Sequence, residues 1–398
     1  MGSSNSKCNS HLTTKQCQNL KRDLTKEENI VADKLNKVNI EERQVKSLSF
    51  SEHIAPLSDS SSLELKSDKS SIEESDSETA EEIDLVGEKL NNKYTVENKI
   101  GKGGFGYVYK CFDEVTNNYV AIKAIDNKEA AEVEIISFDT LREKQINSSS
   151  IITLLESFED EHFVYLVFPL YGPDLLDAIY DFKPSFSIEE IRTIARQLIE
   201  TTKLLHDNKI LHGDIKPGNI LMNRYYDDES KPEHYRKPDI TLCDFGCVFT
   251  EDEFDDTVTT TLPYRAPDIV LGYKMGYPCD VWSIGCTVFE LATQYLPFLA
   301  YSVEELFLVI NETVGPFTKC QIKQIEHVDN ENRISMEEKE KENFDDLSEK
   351  ITVLNDALDE LKQEEKDLYD VIMKMLIIDP EKRISLKEVL ELPFFTKD

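Results

Sequence analysis

Three short runs rich in Val, Tyr and Ile follow one another between Tyr94 and Ile125. Tyr94–Ile100, Tyr107–Phe112 and Tyr119–Ile125 are separated by turn residues such as Asn117 and Asn118, and they predict three β-strands. Farther along, the period changes. Asp280 to Gly285 open an apolar helix, and Leu347, Ile351, Leu354, Leu358 and Leu361 recur at helical spacing, so they share one helix face. That stripe fits either a docking helix for a partner or an insertion packed on its own domain; the second reading is preferred. Before Tyr94 no comparable pattern exists. Phe50 is the only aromatic of residues 1–93, in a chain that is 9% aromatic. A core is hard to build from such a stretch, so residues 1–93 are expected to be a disordered tail and 94–395 the folded domain.

Charge separates the regions further. The whole chain of 398 residues carries −33, which argues against direct binding of nucleic acid, since a phosphate backbone needs Lys and Arg. It suits a basic protein substrate or serves solubility. Residues 1–50 have a net charge of +3, residues 51–93 one of −8, and residues 320–366, the candidate insertion, hold fifteen acids against seven Lys and Arg. The eight cysteines show no Cys-x-x-Cys pair, and no secretory signal or long apolar run occurs, so a reduced intracellular setting is expected. Met1-Gly2-Ser3-Ser4-Asn5-Ser6 fits an acylation pattern that would put myristate on Gly2. Cys8 could add palmitate, because one chain alone anchors only marginally. An ordinary Gly/Ser-rich start fits the same residues.

The candidate chemistry begins between the first two strands. Gly101, Gly103 and Gly106 form G-x-G-x-x-G, whose glycines let backbone N–H groups approach phosphates. A strand follows this loop, whereas dinucleotide-binding folds place a helix there. Val120-Ala121-Ile122-Lys123 puts a lysine on the third strand, where an ammonium can neutralise phosphate charge. A carboxylate must orient it; Glu134 is the first choice and Glu132 the alternative. Downstream come His212-Gly213-Asp214-Ile215-Lys216-Pro217-Gly218-Asn219, then Asp244-Phe245-Gly246, Ala266-Pro267-Asp268, Asp280-Val281-Trp282-Ser283-Ile284-Gly285 and Arg383.

Six such motifs in order resemble the eukaryotic protein kinase family over Tyr94 to about Phe395. The resemblance implies an α+β fold with a small β-rich lobe, a larger helical lobe, and ATP with Mg2+ in the cleft between them. By the same resemblance Asp214 accepts the substrate hydroxyl proton, Lys216 stabilises the transferring phosphoryl group, and Asn219 and Asp244 hold magnesium. Lys123 and Glu134 form the activating pair. Gly101, Lys102, Gly103, Gly104, Phe105, Gly106, Val108 and Ala121 enclose the nucleotide. Phe163 to Phe168 are the connecting strand, Phe168 backs the adenine, and Pro169 to Tyr171 offer backbone groups to it.

Thr261-Leu262-Pro263-Tyr264-Arg265-Ala266-Pro267 and Tyr277 to Cys286 resemble the group of cyclin-dependent, mitogen-activated, glycogen-synthase and Clk-like kinases, on the Clk-like side. Lys216-Pro217 points to serine or threonine acceptors in a protein substrate and leaves dual specificity open. Three departures from the family pattern stand out. Gly213 replaces the usual arginine that grips an activation-loop phosphate, so activity without loop phosphorylation is expected; Asp255 and Asp256 could supply standing charge, and Thr257, Thr259 and Thr260 stay open as sites. Gly218 replaces a frequent glutamate, which weakens the case for basic-directed specificity, and Arg265 hints at a proline after the acceptor. Asp268 is shorter than the usual glutamate, which predicts a longer or water-bridged pair with Arg383. Cys243 and Cys247 are expected as small core residues. The chain is expected to act as a monomer in the cytoplasm, with the nucleus or a membrane surface as alternatives.

Overall fold

The computed structural model describes residues 84–103, 106–182, 185–223, 238–250, 260–271, 273–300, 302–318 and 344–397, all within one compact unit, Glu81–Asp398. The acylation positions Gly2 and Cys8, the loop tip Gly104 and Phe105, residues 224–237, and Asp255 to Thr259 lie outside the described residues. A six-stranded sheet carries the first half. It runs in the order β1 (Lys89–Leu90), β2 (Tyr94–Gly103), β3 (Gly106–Asp113), β4 (Asn118–Ile125), β6 (Val164–Pro169), β5 (Glu156–Glu159). All pairs are antiparallel. Asn117, at positive φ, turns β3 into β4.

The folded part starts earlier than the predicted Tyr94. Leu90 pairs with Tyr94, and Leu85 and Leu90 are buried against the sheet. Two leucines and a two-residue strand carry no aromatic or alternating signal, so the stretch reads as tail in the sequence although it completes a core.

Strand alternation explains why one sheet feeds two cores. Tyr109, Cys111, Val120, Ile122, Ala124, Tyr165 and Val167 point to the outer face with Tyr94, Val96, Leu85 and Leu90. The other face presents Val108, Ala121, Lys123, Leu166 and Phe168, because Val108 pairs with Lys123, Lys123 with Leu166, and Ala121 with Phe168. Helix α1 (Lys128–Glu143) covers part of this second face. Asn127 caps it through Ala130 N, and Ala131, Phe138 and Leu141 form its buried stripe.

The helical half is built around α3 (Tyr277–Thr293), which is buried on all sides and so sits at the centre. Helix α2 (Ile188–Asp207) packs on it, opened by a Ser187/Glu190 capping box. It runs out through Lys209, at positive φ, into β7 (Ile210–Leu211). Strand β7 pairs with β10 (Phe249–Thr250), and β8 (Ile220–Met222) with β9 (Ile240–Leu242). Gly172 N donates to Met222 O and Met222 N to Pro173 O, which ties the segment after β6 to β8. Of the 320–366 insertion, α5 (Phe344–Glu364) is described, following α4 (Val303–Thr313) and preceding α6 (Lys366–Met375). Its stripe packs on its own domain: Leu354, Ala357, Leu358 and Leu361 are buried in the main core, roughly 1.5–3 kcal/mol for each leucine.

Candidate active site

The phosphate-facing side of the sheet places a lysine between two carboxylates. Lys123 Nζ lies 2.7 Å from Glu134 Oε2 and 3.1 Å from Asp244 Oδ1. Glu134 falls in the middle of the apolar stripe of α1, three residues after Ala131 and four before Phe138, which is why it is buried and aimed at the sheet. Glu132 stands on the exposed side. Burial works against the Lys123 ammonium, but the two carboxylates outweigh it and hold its pKa above the ordinary lysine value. Burial likewise works against Asp244, and Lys123 pulls its pKa below the usual carboxylate range.

Above this pair, β2 and β3 converge on the glycine loop. Gly101 pairs with Val108 and Gly103 with Gly106. At Gly106, with φ +149°, a Cβ would stand 2.0 Å from Ala124 O, so no side chain fits there. Lys102 does not point into the loop; its ammonium lies over the Tyr107 ring, 5.3 Å from the centroid. Phe168 is buried with its ring 5.5 Å from Phe138. Phe138 meets Phe245 at 5.5 Å, and Phe245 meets His212 edge-on at 5.1 Å, so one aromatic column links the sheet, α1 and the loop after β7. Tyr171 is half-buried beyond Phe168.

Across the cleft Asp214 is the centre of a dense network. Its Oδ1 accepts from Thr261 N at 2.9 Å and Thr261 Oγ1 at 2.7 Å; its Oδ2 accepts from Lys216 Nζ at 2.7 Å and Asn219 Nδ2 at 3.1 Å. Lys216 also donates to Thr261 Oγ1 at 2.7 Å, and Asn219 to Asp214 O at 2.8 Å. Asp280, at the start of α3, holds the preceding backbone by accepting from His212 N and Gly213 N at 3.0 Å each. His206 Nε2 lies 2.8 Å from the same carboxylate. Thr261 was visible in the sequence only as a member of a group-specific run, and Asp280 only as the opening residue of a family motif and of an apolar helix. What marks them physically is contact: each binds the loop that carries Asp214.

Gly213 is set by the backbone. Its φ is +82°, and a Cβ there would stand 2.6 Å from Cys247 O. A side chain at this position would require the segment after Asp244 to shift, so the missing arginine and the local path of the chain belong together. Cys243 and Cys247 are both half-buried, and Cys243 packs against the main core as expected of a small core residue.

The Asp268–Arg383 pair is direct, at 2.7 Å between Oδ1 and Nη2, where a longer or bridged contact was expected. Arg383 is fixed by Ile377 O, Pro278 O and Ile378 O, and both partners are buried. Cys279 Sγ donates to the other Asp268 oxygen at 3.1 Å. The short helical turn Pro267–Val270 carries Asp268 inward and makes up for the lost methylene.

The donor set fits ATP with a divalent cation. Asn219 spends its amide nitrogen on Asp214, which leaves its carbonyl oxygen for a cation, and among the described residues Asp244 Oδ2 makes no hydrogen bond or ion pair. Both are the hard oxygen donors such a cation takes. Among the described residues no group of three or more His, Cys, Asp or Glu stands where it could hold a metal ion by itself.

A lysine clamped by two carboxylates, facing an aspartate shared by a lysine, a threonine and an asparagine, defines a phosphotransferase site. Residues 94–395 match the protein kinase domain, and the chain belongs to that family. It is a protein serine/threonine kinase of the Clk-like kind. The human dual specificity protein kinase CLK1 is 33% identical over 340 residues, covering 80% of this chain and 69% of its own length. The Arabidopsis thaliana serine/threonine-protein kinase AFC1 is 28% identical over 340 residues, covering 79% and 73%. A solved kinase-domain crystal structure shares the fold with a TM-score of 0.65 at 24% identity, over 78% of this chain and 97% of its own.

Proposed function

We propose that this kinase transfers the γ-phosphoryl group of ATP, with Mg2+, to serine and threonine hydroxyls, and that it does so without a phosphate on its activation segment. The observation that carries the reading is the Thr261–Asp214–Lys216 triangle. Thr261 orders the segment beside which an acceptor hydroxyl must lie, with Asp214 and Lys216 already in register. Bound ATP supplies the phosphoryl group and the cation offsets its charge. Lys123, held by Glu134, positions the nucleotide phosphates. Asp214 orients the acceptor hydroxyl and takes its proton, and Lys216 offsets charge on the transferring group. Asn219 and Asp244 would hold the cation when it is bound.

Independence from loop phosphorylation is supported by Gly213, which has no arginine to grip a phosphate and no room for one. Arg265 Nη2 is already engaged with Thr260 O at 2.7 Å, which orders the residues after Thr260 from within. Arg265 also motivates the expectation of proline after the acceptor. The strongly negative charge supports a protein substrate over nucleic acid.

The test is ATP-dependent labelling of an array of serine, threonine and tyrosine peptides by phosphatase-treated protein, beside Asp244→Ala. Labelling of serine and threonine peptides by the normal protein alone is the expected result. Equal labelling by Asp244→Ala would overturn the assignment of the site, and tyrosine labelling at a similar rate would establish dual specificity. An array without proline preference would remove the role given to Arg265.

A further inference from the structure

Helix α3 buries a second carboxylate near its C-terminal end. Glu290 has no exposed surface, and its two oxygens are taken by two phenols: Oε1 by Tyr180 at 2.8 Å and Oε2 by Tyr264 at 2.6 Å. Among the described residues no cation pairs with it. The titratable groups around it are Tyr264 on the turn Leu262–Tyr264, Tyr180 on the helical turn Ala178–Phe182, and the Cys286 thiol one turn back on α3. Burial without a cation pushes the Glu290 carboxyl up to about 7, against the pull of the two phenol bonds.

The position of this cluster matters because Tyr264 ends the turn that begins at Thr261. Thr261 binds Asp214, and Tyr264 is additionally held by Ser283 Oγ to its carbonyl at 2.9 Å. Tyr264 is therefore the inner anchor of the segment that lies beside the acceptor hydroxyl. Tyr180 is the outer member of the cluster and 42% exposed, so it can swing to water without disturbing the core.

We propose that Tyr180, Glu290 and Tyr264 form a proton-dependent clamp that positions the segment Thr261–Arg265 for the protein substrate, with Glu290 as its positioning residue. The inference rests on the kinase reading of that segment. Neutral Glu290 can accept from one phenol and donate to the other with no buried charge. Ionised Glu290 still accepts from both, but its charge is desolvated and has no counter-ion. Opening at Tyr180 admits water to the carboxylate and relieves that charge, and it removes one of the two bonds that fix Glu290 behind Tyr264. The clamp is thus closed on the acid side and slack on the alkaline side.

The experiment measures KM for a neutral serine peptide and KM for ATP between about pH 6 and pH 8 on the full chain, for the normal protein, Glu290→Gln and Tyr180→Phe. In the normal protein, peptide KM should rise roughly tenfold across that range with a midpoint near 7, while ATP KM shows no matching rise. Glu290→Gln keeps one donor and one acceptor and never ionises, so its peptide KM should stay at the acid value. Tyr180→Phe removes a donor to the carboxylate and should move the midpoint upward. A Glu290→Gln profile that follows the normal protein would overturn the proposal. If that variant does not fold, an unmoved midpoint in Tyr180→Phe would overturn it instead. Absence of phosphorylation by the normal protein at every pH is a different result, and it would overturn the kinase reading itself.

Discussion

Asp280 and Glu290 lie on the same helix, both buried, and the protein holds them in opposite ways. Asp280 accepts from His206 and from the backbone N–H groups of His212 and Gly213. Burial works against its charge, but His206 and those donors offset it and keep its pKa below the usual carboxylate value. Glu290 has only two phenols, and burial wins. Burial alone therefore does not decide whether a carboxylate is charged; the number and charge of its donors do. The difference follows the work asked of each position. Asp280 fixes the backbone that carries Asp214, while Glu290 lies behind the segment that meets the substrate.

The comparison breaks most severely at Asp280. Asp280→Asn would turn an amide nitrogen toward backbone donors and leave His206 without its carboxylate. We expect a loss of roughly 3–5 kcal/mol in denaturant unfolding and a fall in kcat of about 100-fold or more. Arg383→Ala strands buried Asp268 in the same way, with a similar cost of roughly 3–5 kcal/mol but little change in kcat per folded molecule, because Asp268 does not touch the Asp214 loop.

At Glu290 the sign is reversed. An acid whose folded pKa is raised binds its proton more tightly in the folded state, so its contribution is fullest below the unfolded value of 4.5. It is lost as pH climbs from there through about 7, a difference of roughly 3 kcal/mol at most. Glu290→Gln should flatten the fall in unfolding free energy over this window. For Asp280 the lowered pKa puts the stabilisation above the ordinary aspartate range, and it disappears only as pH falls through its folded value. Smaller still is Cys279→Ala, which removes one weak donor from Asp268 and should cost about 1 kcal/mol beyond the lost methylene-sized volume.

Much of the site was legible because its chemistry is tied to short, ordered motifs. Lys123, Asp214, Lys216, Asn219 and Asp244 each sit in a run whose residue types are needed together, and the structure gathers them around one cleft. Glu134 was preferred to Glu132, and the stripe Ala131, Phe138, Leu141, on which Glu134 falls and Glu132 does not, gives the physical reason. Contacts between distant segments were not legible. Glu290 meets Tyr180 across 110 residues and Tyr264 across 26, and nothing in the helix pattern marks a carboxylate whose partners are phenols. The direct Asp268–Arg383 pair was misjudged from side-chain length, since the backbone turn around Pro267 moved the carboxylate inward. The start of the fold was misplaced because Leu85 and Leu90 contribute burial without periodicity.

The most direct test of the account is the turnover of a serine peptide by protein whose residues 247–262 are shown by mass spectrometry to carry no phosphate before and during the reaction. The account predicts steady turnover from the first measurement, abolished in Asp214→Asn. Turnover that begins only after Thr257, Thr259 or Thr260 acquires a phosphate would contradict it.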